Sequence, residues 1–177
     1  RRQIEFMKEC QKKVKNILAI CWGMQVAVTA AGGLVKKGEN GSHRGIAHDI
    51  IINKDGLTHP IYKGKKEIFN TPAFNYDEVV TLPENSVLLS SNKVNRVMGL
   101  NFKSEKSNIW GIQYHPEITY DKMITLINFR KEKLINNKSF NDEADLISHI
   151  QMIEKENKIT NKDSRMKELK NWLDLIG

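Results

Sequence analysis

Residues 16–33 read Asn16-Ile-Leu-Ala-Ile20-Cys21-Trp-Gly-Met-Gln25-Val-Ala-Val-Thr-Ala30-Ala-Gly32-Gly33. The apolar run Ile17–Ile20 is short and alternates nothing. That is the pattern of a strand buried on both faces, as in a parallel sheet covered by helices. Residues 22–31 then carry helical spacing. Ala27, Ala30 and Ala31 are small enough to let that helix lie close to a sheet, and Gly32-Gly33 supplies a left-handed C-cap. A strand feeding a helix through a sharp turn, with a thiol at the bend, has the form of a nucleophile elbow. In an open α/β sheet such a bend lies at the C-terminal edge of the strands, where sites are built.

Upstream, residues 2–13 place Ile4, Met7 and Cys10 on one face of a charged helix. Downstream, residues 36–45 read as a loop by composition. Residues 46–52 read as a strand and 56–60 as a turn. A short edge strand follows around Glu67-Ile68-Phe69, and residues 71–83 read as a second loop and turn. Residues 87–91, 97–102 and 109–114 are three further strands, with a polar turn at 105–108. The last of them delivers His115-Pro116-Glu117 at its C-terminal end. Beyond Asp121 the pattern turns helical. Met123, Ile124, Ile127, Arg130 and Leu134 share one face. A second helix capped by Asn141 or Asp142 carries Ala144, Leu146, Ile147 and Ile150. A third, capped by Asp163, carries Met166, Leu169, Leu173 and Ile176. The expectation is an α/β domain over residues 1–136, with a doubly wound, mostly parallel sheet and some antiparallel strands. A helical extension follows over 137–177.

The 177 residues suffice for one domain with a real core. At 40% hydrophobic and 28% charged the composition is that of a globular chain. The net charge of +7 would suit an anionic partner. The lysines are scattered, however, and no basic stripe studded with aromatics appears, so no nucleic-acid partner is expected. No apolar run approaches the roughly 20 residues of a membrane span. The two cysteines, Cys10 and Cys21, make neither a disulfide framework nor a metal-type Cys/His spacing. A reducing, cytoplasmic setting and no metal or other cofactor are expected.

The chemistry centres on Cys21, His115 and Glu117. At an unperturbed pKa near 8.5 only roughly 3% of a thiol is ionised at neutral pH, so a nucleophilic cysteine needs help. A helix N-terminus favours the anion. An imidazole can take the proton and return it to a leaving amine, and a carboxylate can orient that imidazole. Taken singly, Cys21 also fits a small core hydrophobe, His115 an ordinary loop histidine and Glu117 a solvated acid. His43, His48, His59 and His149 read as surface or loop residues. An elbow thiol together with a strand-borne His-Pro-Glu favours catalysis.

These residues resemble a family. Ala19-Ile-Cys21-Trp-Gly23-Met-Gln25 is similar to the nucleophile motif of class I glutamine amidotransferases, Gly-x-Cys-x-Gly-x-Gln. Gly111-Ile-Gln-Tyr-His115-Pro-Glu117 is similar to their His/Glu motif, and the spacing between the two suits the family. Asp77-Glu-Val79-Val-Thr-Leu-Pro83 with Val87–Ser91 resembles the GMP-synthase-type branch. The resemblance implies a flavodoxin-like fold with Cys21 as nucleophile, His115 as base and acid, and Glu117 as its orienter. It implies that Gln25 helps hold a glutamine substrate, that the Trp22 N–H is one oxyanion donor, and that Asn75 and Tyr76 fall where relatives contact substrate.

The departures set further expectations. Ala19 stands where the family has glycine and would crowd the elbow. The branch's histidine near Asn75 is absent. Family domains place several strands before the elbow, one of them ending in a glycine-rich loop that gives a second oxyanion donor. The residues here begin at Arg1, inside a helix, and are expected to be a fragment lacking those strands. They contain no phosphate-binding loop of a synthetase half. The implied activity is therefore stand-alone hydrolysis of the glutamine side-chain amide, with ammonia passed to a synthetase partner or another acceptor. The alternatives are a γ-glutamyl-amide hydrolase with the same triad and a non-catalytic binding protein of the same fold. The C-terminal helices either pack on the domain or, through Trp172, Leu173 and Ile176, dock a partner or a second copy in a homo-oligomer.

Overall fold

A computed structural model describes residues 1–177. Its centre is a six-stranded sheet. In spatial order the strands are β1 (Asn16–Ile20), β10 (Ser107–Ile112), β9 (Gly99–Ser104), β8 (Val87–Ser91), β4 (Ala47–Ile52) and β5 (Ile68–Thr71). β1 runs parallel to β10, and every other neighbouring pair is antiparallel. The α/β class and the family fold stand, with a larger antiparallel share than the sequence reading expects. The reason is local: β8, β9 and β10 follow one another through short connections, and short connections join only antiparallel neighbours.

Both faces of the sheet are covered, and the period-2 alternation of strand side chains shows how. On one face Ala19, Ile109, Leu100 and Phe102 pack with Met24, Ala27 and Val28 of α2 (Trp22–Ala30), and α1 (Arg2–Lys13) lies beside α2. On the other face Leu18, Ile20, Trp110 and Ile112 pack with Ile61 and Tyr62 of the short 3-10 turn Pro60–Tyr62. A third cluster joins Ile127 of α4 (Tyr120–Phe129) and Leu134 of α5 (Lys131–Asn136) to Leu146 and Ile153 of α6 (Glu143–Ile159). The chain closes with α7 (Lys162–Arg165) and α8 (Lys167–Ile176). Trp172 packs against the second-face core while Leu173 and Ile176 stay exposed, so Trp172 is not a free anchor.

Several loops of the sequence reading contain structure. Residues 34–44 hold β2 (Leu34–Lys37) and β3 (His43–Arg44), and residues 71–83 hold β6 (Phe74–Asn75) and β7 (Asp77–Thr81). They pair as two small ribbons, β2 with β7 and β3 with β6, away from the main sheet. The turn expected at 56–60 is in part helical: residues 56–58 belong to α3 (Lys54–Thr58), capped by Asn53, whose Oδ1 accepts the Gly56 N–H at 2.8 Å. Asp142 caps α6 as expected, whereas Asn161 rather than Asp163 caps α7, and α8 follows Met166 without a side-chain cap. No helix is long and apolar enough to cross a membrane.

Gly56 shows how closely α3 lies on β8. A Cβ there would come 2.1 Å from the Leu89 carbonyl oxygen, which is backbone and cannot swing aside. Gly56→Ala is expected to lower the urea midpoint of unfolding, by an amount equal to about 1–3 kcal/mol of overpacking. A denaturation curve with unchanged slope checks this.

Candidate active site

The parallel pairing of β1 with β10 runs in register up to Ile20 opposite Ile112. Parallel strands end at the same edge, so the next residues, Cys21 and Gln113, emerge side by side. The Cys21 N–H extends the ladder by donating to the Ile112 carbonyl at 2.7 Å, and the Cys21 carbonyl accepts the Gln25 N–H at 3.1 Å as α2 begins. Cys21 itself has φ 49° and ψ −108°, which a side-chain-bearing residue rarely adopts. Such a conformation costs about 1–3 kcal/mol and persists only where the surroundings over-determine it. Here β1, β10 and the first turn of α2 do so. Ala19 does not close the elbow. It lies opposite Gly111, and its methyl group packs in the core with Met24, which fills the space a Gly111 side chain would need.

Beyond β10 the chain turns through residues 113–118. The His115 N–H donates to the Pro72 carbonyl at 2.8 Å, which fixes the backbone there. His115 Nδ1 lies 2.6 Å from Glu117 Oε1, so that nitrogen carries the proton and the ring's other nitrogen is left for the sulfur. Burial of the ring opposes its protonated form. Hydrogen bonding to Cys21 and Glu117, together with their negative charge, outweighs that and holds the His115 pKa up to about 9. His115 and Glu117 are thus paired at the edge of the sheet where Cys21 lies, with Cys21 close enough to raise the His115 pKa.

A buried amide network sits behind the sulfur. Gln25 Nε2 donates to the Asp77 carbonyl at 2.9 Å and to Gln113 Oε1 at 3.1 Å. The Asp77 carbonyl can only accept, so the Gln25 amide has one orientation, and Gln113 must turn its NH2 outward. That NH2 donates to Cys21 Sγ at 3.4 Å. The same Asp77 carbonyl accepts from Asn75 Nδ2 at 3.0 Å, which also donates to Asn95 Oδ1. Asn75 Oδ1 accepts from His43 Nδ1 at 2.9 Å, and Asn92 donates to the other ring nitrogen at 3.0 Å. His43 is therefore buried, contrary to the surface reading. Burial lowers its pKa more than the Asn75 hydrogen bond raises it.

The remaining expected residues lie around this network. Trp22 opens α2. Its exposed indole donates to Gln3 Oε1 at 3.1 Å, and its N–H is among the first of the helix, which have no intrahelical acceptor. The Asn75 side chain is engaged inside the protein, and it is the neighbouring Phe74 carbonyl that approaches the sulfur, at 4.0 Å. The Tyr76 hydroxyl lies 3.3 Å from Ser139 Oγ. Sequence reading misses Gln113, although a glutamine at the end of a strand otherwise apolar is a visible signal. No group of three or more His, Cys, Asp and Glu side chains is gathered that could hold a metal ion.

Comparison with known proteins follows the same residues. The family model for glutamine amidotransferase class-I matches residues 1–132. The chain is 33% identical over 121 residues to a gamma-glutamyl-L-1-hydroxyisopropylamide hydrolase of a Pseudomonas species, covering 67% of this chain and 41% of that protein. It is 35% identical over 121 residues to a glutamine-hydrolyzing GMP synthase subunit of Methanosphaera stadtmanae, covering 66% of this chain and 61% of that protein. The chain therefore spans less than two thirds of the length of these relatives. In structure it is similar to a glutamine amidotransferase of Thermotoga maritima, with a TM-score of 0.73 at 19% identity, over 99% of this chain and 68% of that one.

The raised His115 pKa has a testable sign. It lies above the ordinary 6.5, so the protonated ring stabilises the fold fully below about 6.5, and that contribution is lost as pH rises through about 9. An NMR titration of the His115 ring is expected to show a midpoint near 9. In Cys21→Ala or Glu117→Gln the midpoint falls toward 6.5, because each removes a partner of the imidazolium.

Proposed function

Because this chain belongs to the class I glutamine amidotransferases, we propose that it hydrolyses the side-chain amide of glutamine through Cys21, His115 and Glu117. The observation that carries this reading is the His115–Glu117 pair, 2.6 Å apart, at the same sheet edge as the Cys21 elbow.

Cys21 Sγ, as thiolate, attacks the amide carbon of the substrate. The developing oxyanion is met by the Trp22 N–H at the start of α2, where helix dipole and free donor act together. His115 Nε2–H protonates the departing nitrogen, and ammonia leaves. The enzyme is now a glutamyl thioester. Neutral His115 takes a proton from water, the resulting hydroxide attacks the thioester carbon, and glutamate departs as the thiolate returns. The sum is glutamine plus water to glutamate plus ammonia. Glu117 holds the ring in the tautomer that presents Nε2 to the sulfur. Gln25 and Gln113 fix the polar back wall, and Asn75 and Tyr76 shape the segment beside it. Every proton and electron pair in these steps is handled by the chain's own residues and water.

The likeness to a glutamine-hydrolyzing GMP synthase subunit supports delivery of ammonia to a synthetase partner. A reducing compartment suits a working thiol. The likeness to a gamma-glutamyl-L-1-hydroxyisopropylamide hydrolase favours a second reading, in which the same triad releases a larger amine from a γ-glutamyl amide. The acyl half of the reaction is identical in the two cases, and only the leaving group differs.

In the full gene product, Cys21→Ala is expected to reduce glutamate release by at least about a thousandfold, as removal of a nucleophile does. Undiminished release would remove Cys21 from the mechanism. Comparing kcat/KM for glutamine and for γ-glutamyl isopropylamide separates the two readings, since the preferred leaving group gives the higher value.

A further inference from the structure

Residues 113–118 carry both the base and its orienter, and they are gripped from behind by the C-terminal helices. The Arg165 guanidinium on α7 donates to the Pro116 carbonyl and, at 2.9 Å, to the Ile118 carbonyl. One turn further, Glu168 on α8 accepts from the Tyr114 hydroxyl at 2.7 Å. The three residues held in this way, Tyr114, Pro116 and Ile118, alternate with His115 and Glu117, which bond to each other.

The cost of this arrangement argues that it is specific. Arg165 is 8% exposed and Glu168 is 0% exposed. Arg165 forms no ion pair; its acceptors are those two backbone carbonyls. A buried guanidinium is tolerated only where its donors are satisfied in good geometry. Glu168 is balanced by Lys65, whose Nζ lies 2.9 Å from Oε1 and also donates to the Ser164 carbonyl at 2.8 Å. Lys65 thus ties the segment leading into β5 to both α7 and α8. Charged groups held this far from water hold a geometry more tightly than exposed ones, because each alternative position leaves a charge unpaired.

We propose that Arg165 and Glu168 are positioning residues for His115 and Glu117, so that residues 162–168, beyond the family-matched segment, form part of the catalytic machinery. The proposal rests on the hydrolytic reading above for its consequence in rate, but the clamp itself does not. Neither residue touches substrate. Each sets the backbone from which the imidazole and its carboxylate reach the sulfur. A base displaced by about an ångström can cost a hundredfold in rate, so a clamp on three alternate residues controls turnover without controlling binding.

The test is made on the full gene product. Arg165→Met is expected to lower kcat tenfold to about a hundredfold with KM little changed. The His115 titration midpoint should fall with it, and Arg165→Lys should restore part of both. Glu168→Gln keeps the shape and should act in the same direction. A kcat and a His115 midpoint in Arg165→Met both within about twofold and a few tenths of a pH unit of wild type would overturn the proposal. Should the variants not fold, native-state hydrogen exchange on the unmodified protein decides. The amide of Ile118, which bonds to the His115 carbonyl within the clamped turn, is expected to become exchangeable in the same opening event as those of α8. Persistent protection there after α8 has opened would overturn the clamp. Absence of glutamine hydrolysis in the wild type would instead refute the reaction, and the exchange data would still report on the clamp.

Discussion

The parallel pairing of β1 with β10 is the constraint on which the site depends. Ile20 stands opposite Ile112, so a thiol and a histidine loop from distant parts of the sequence leave the sheet at one edge. Were β1 reversed, the strand would carry Cys21 to the opposite edge, roughly 15–17 Å away. No side-chain adjustment spans that distance. The antiparallel remainder of the sheet builds a wide, two-faced core, and this one pair turns the core into a place for chemistry.

Around that edge the protein uses amides more than charges. Asp77, through one carbonyl oxygen, sets the orientation of Gln25 and Asn75 together, and through Gln25 it sets Gln113. Amides in such a chain lose little on burial when every member is satisfied, and a half-satisfied chain is worse than an apolar wall. The result is a rigid polar surface of amides whose far end, through Asn95, donates to the buried carboxylate of Glu78. In the proposed reaction the developing charge would fall on the His115 ring and the first turn of α2. The buried ion pair of Lys65 and Glu168 stands one layer back, where it holds backbone rather than substrate.

The elbow and the His-Pro-Glu turn can be read from the sequence because each is local. Apolar period, a stop at Gly32 and a motif of a few residues are enough. The small ribbons cannot. β3 and β6 are two residues long, and β2 is half lysine, so neither period nor β-propensity separates them from loop. The antiparallel share is underestimated when the run of strands from 87 to 112 is weighed with the alternating segment before it. Trp172 reads as a spare aromatic on a short helix until the core it covers is seen. Arg165 and Glu168 lie in a segment rich in lysine and acid, where every charge looks solvated. Their partners at 114, 116 and 118 are about fifty residues away, and no pattern of spacing encodes such a meeting. Gln113 is within reach of sequence reading: a lone amide closing an apolar strand is a polar group that burial must explain.

The unusual backbone at Cys21 carries a cost of its own. At φ 49° a glycine would rest where the cysteine is strained. Replacing the thiol by glycine would therefore relax the turn, so under the proposed mechanism durability and reactivity pull in opposite directions at this one position. Selection for a longer-lived fold alone would erode the thiol first. The proposed role of the thiol is what would make relaxing this bend costly, and the strain itself is legible from two torsion angles.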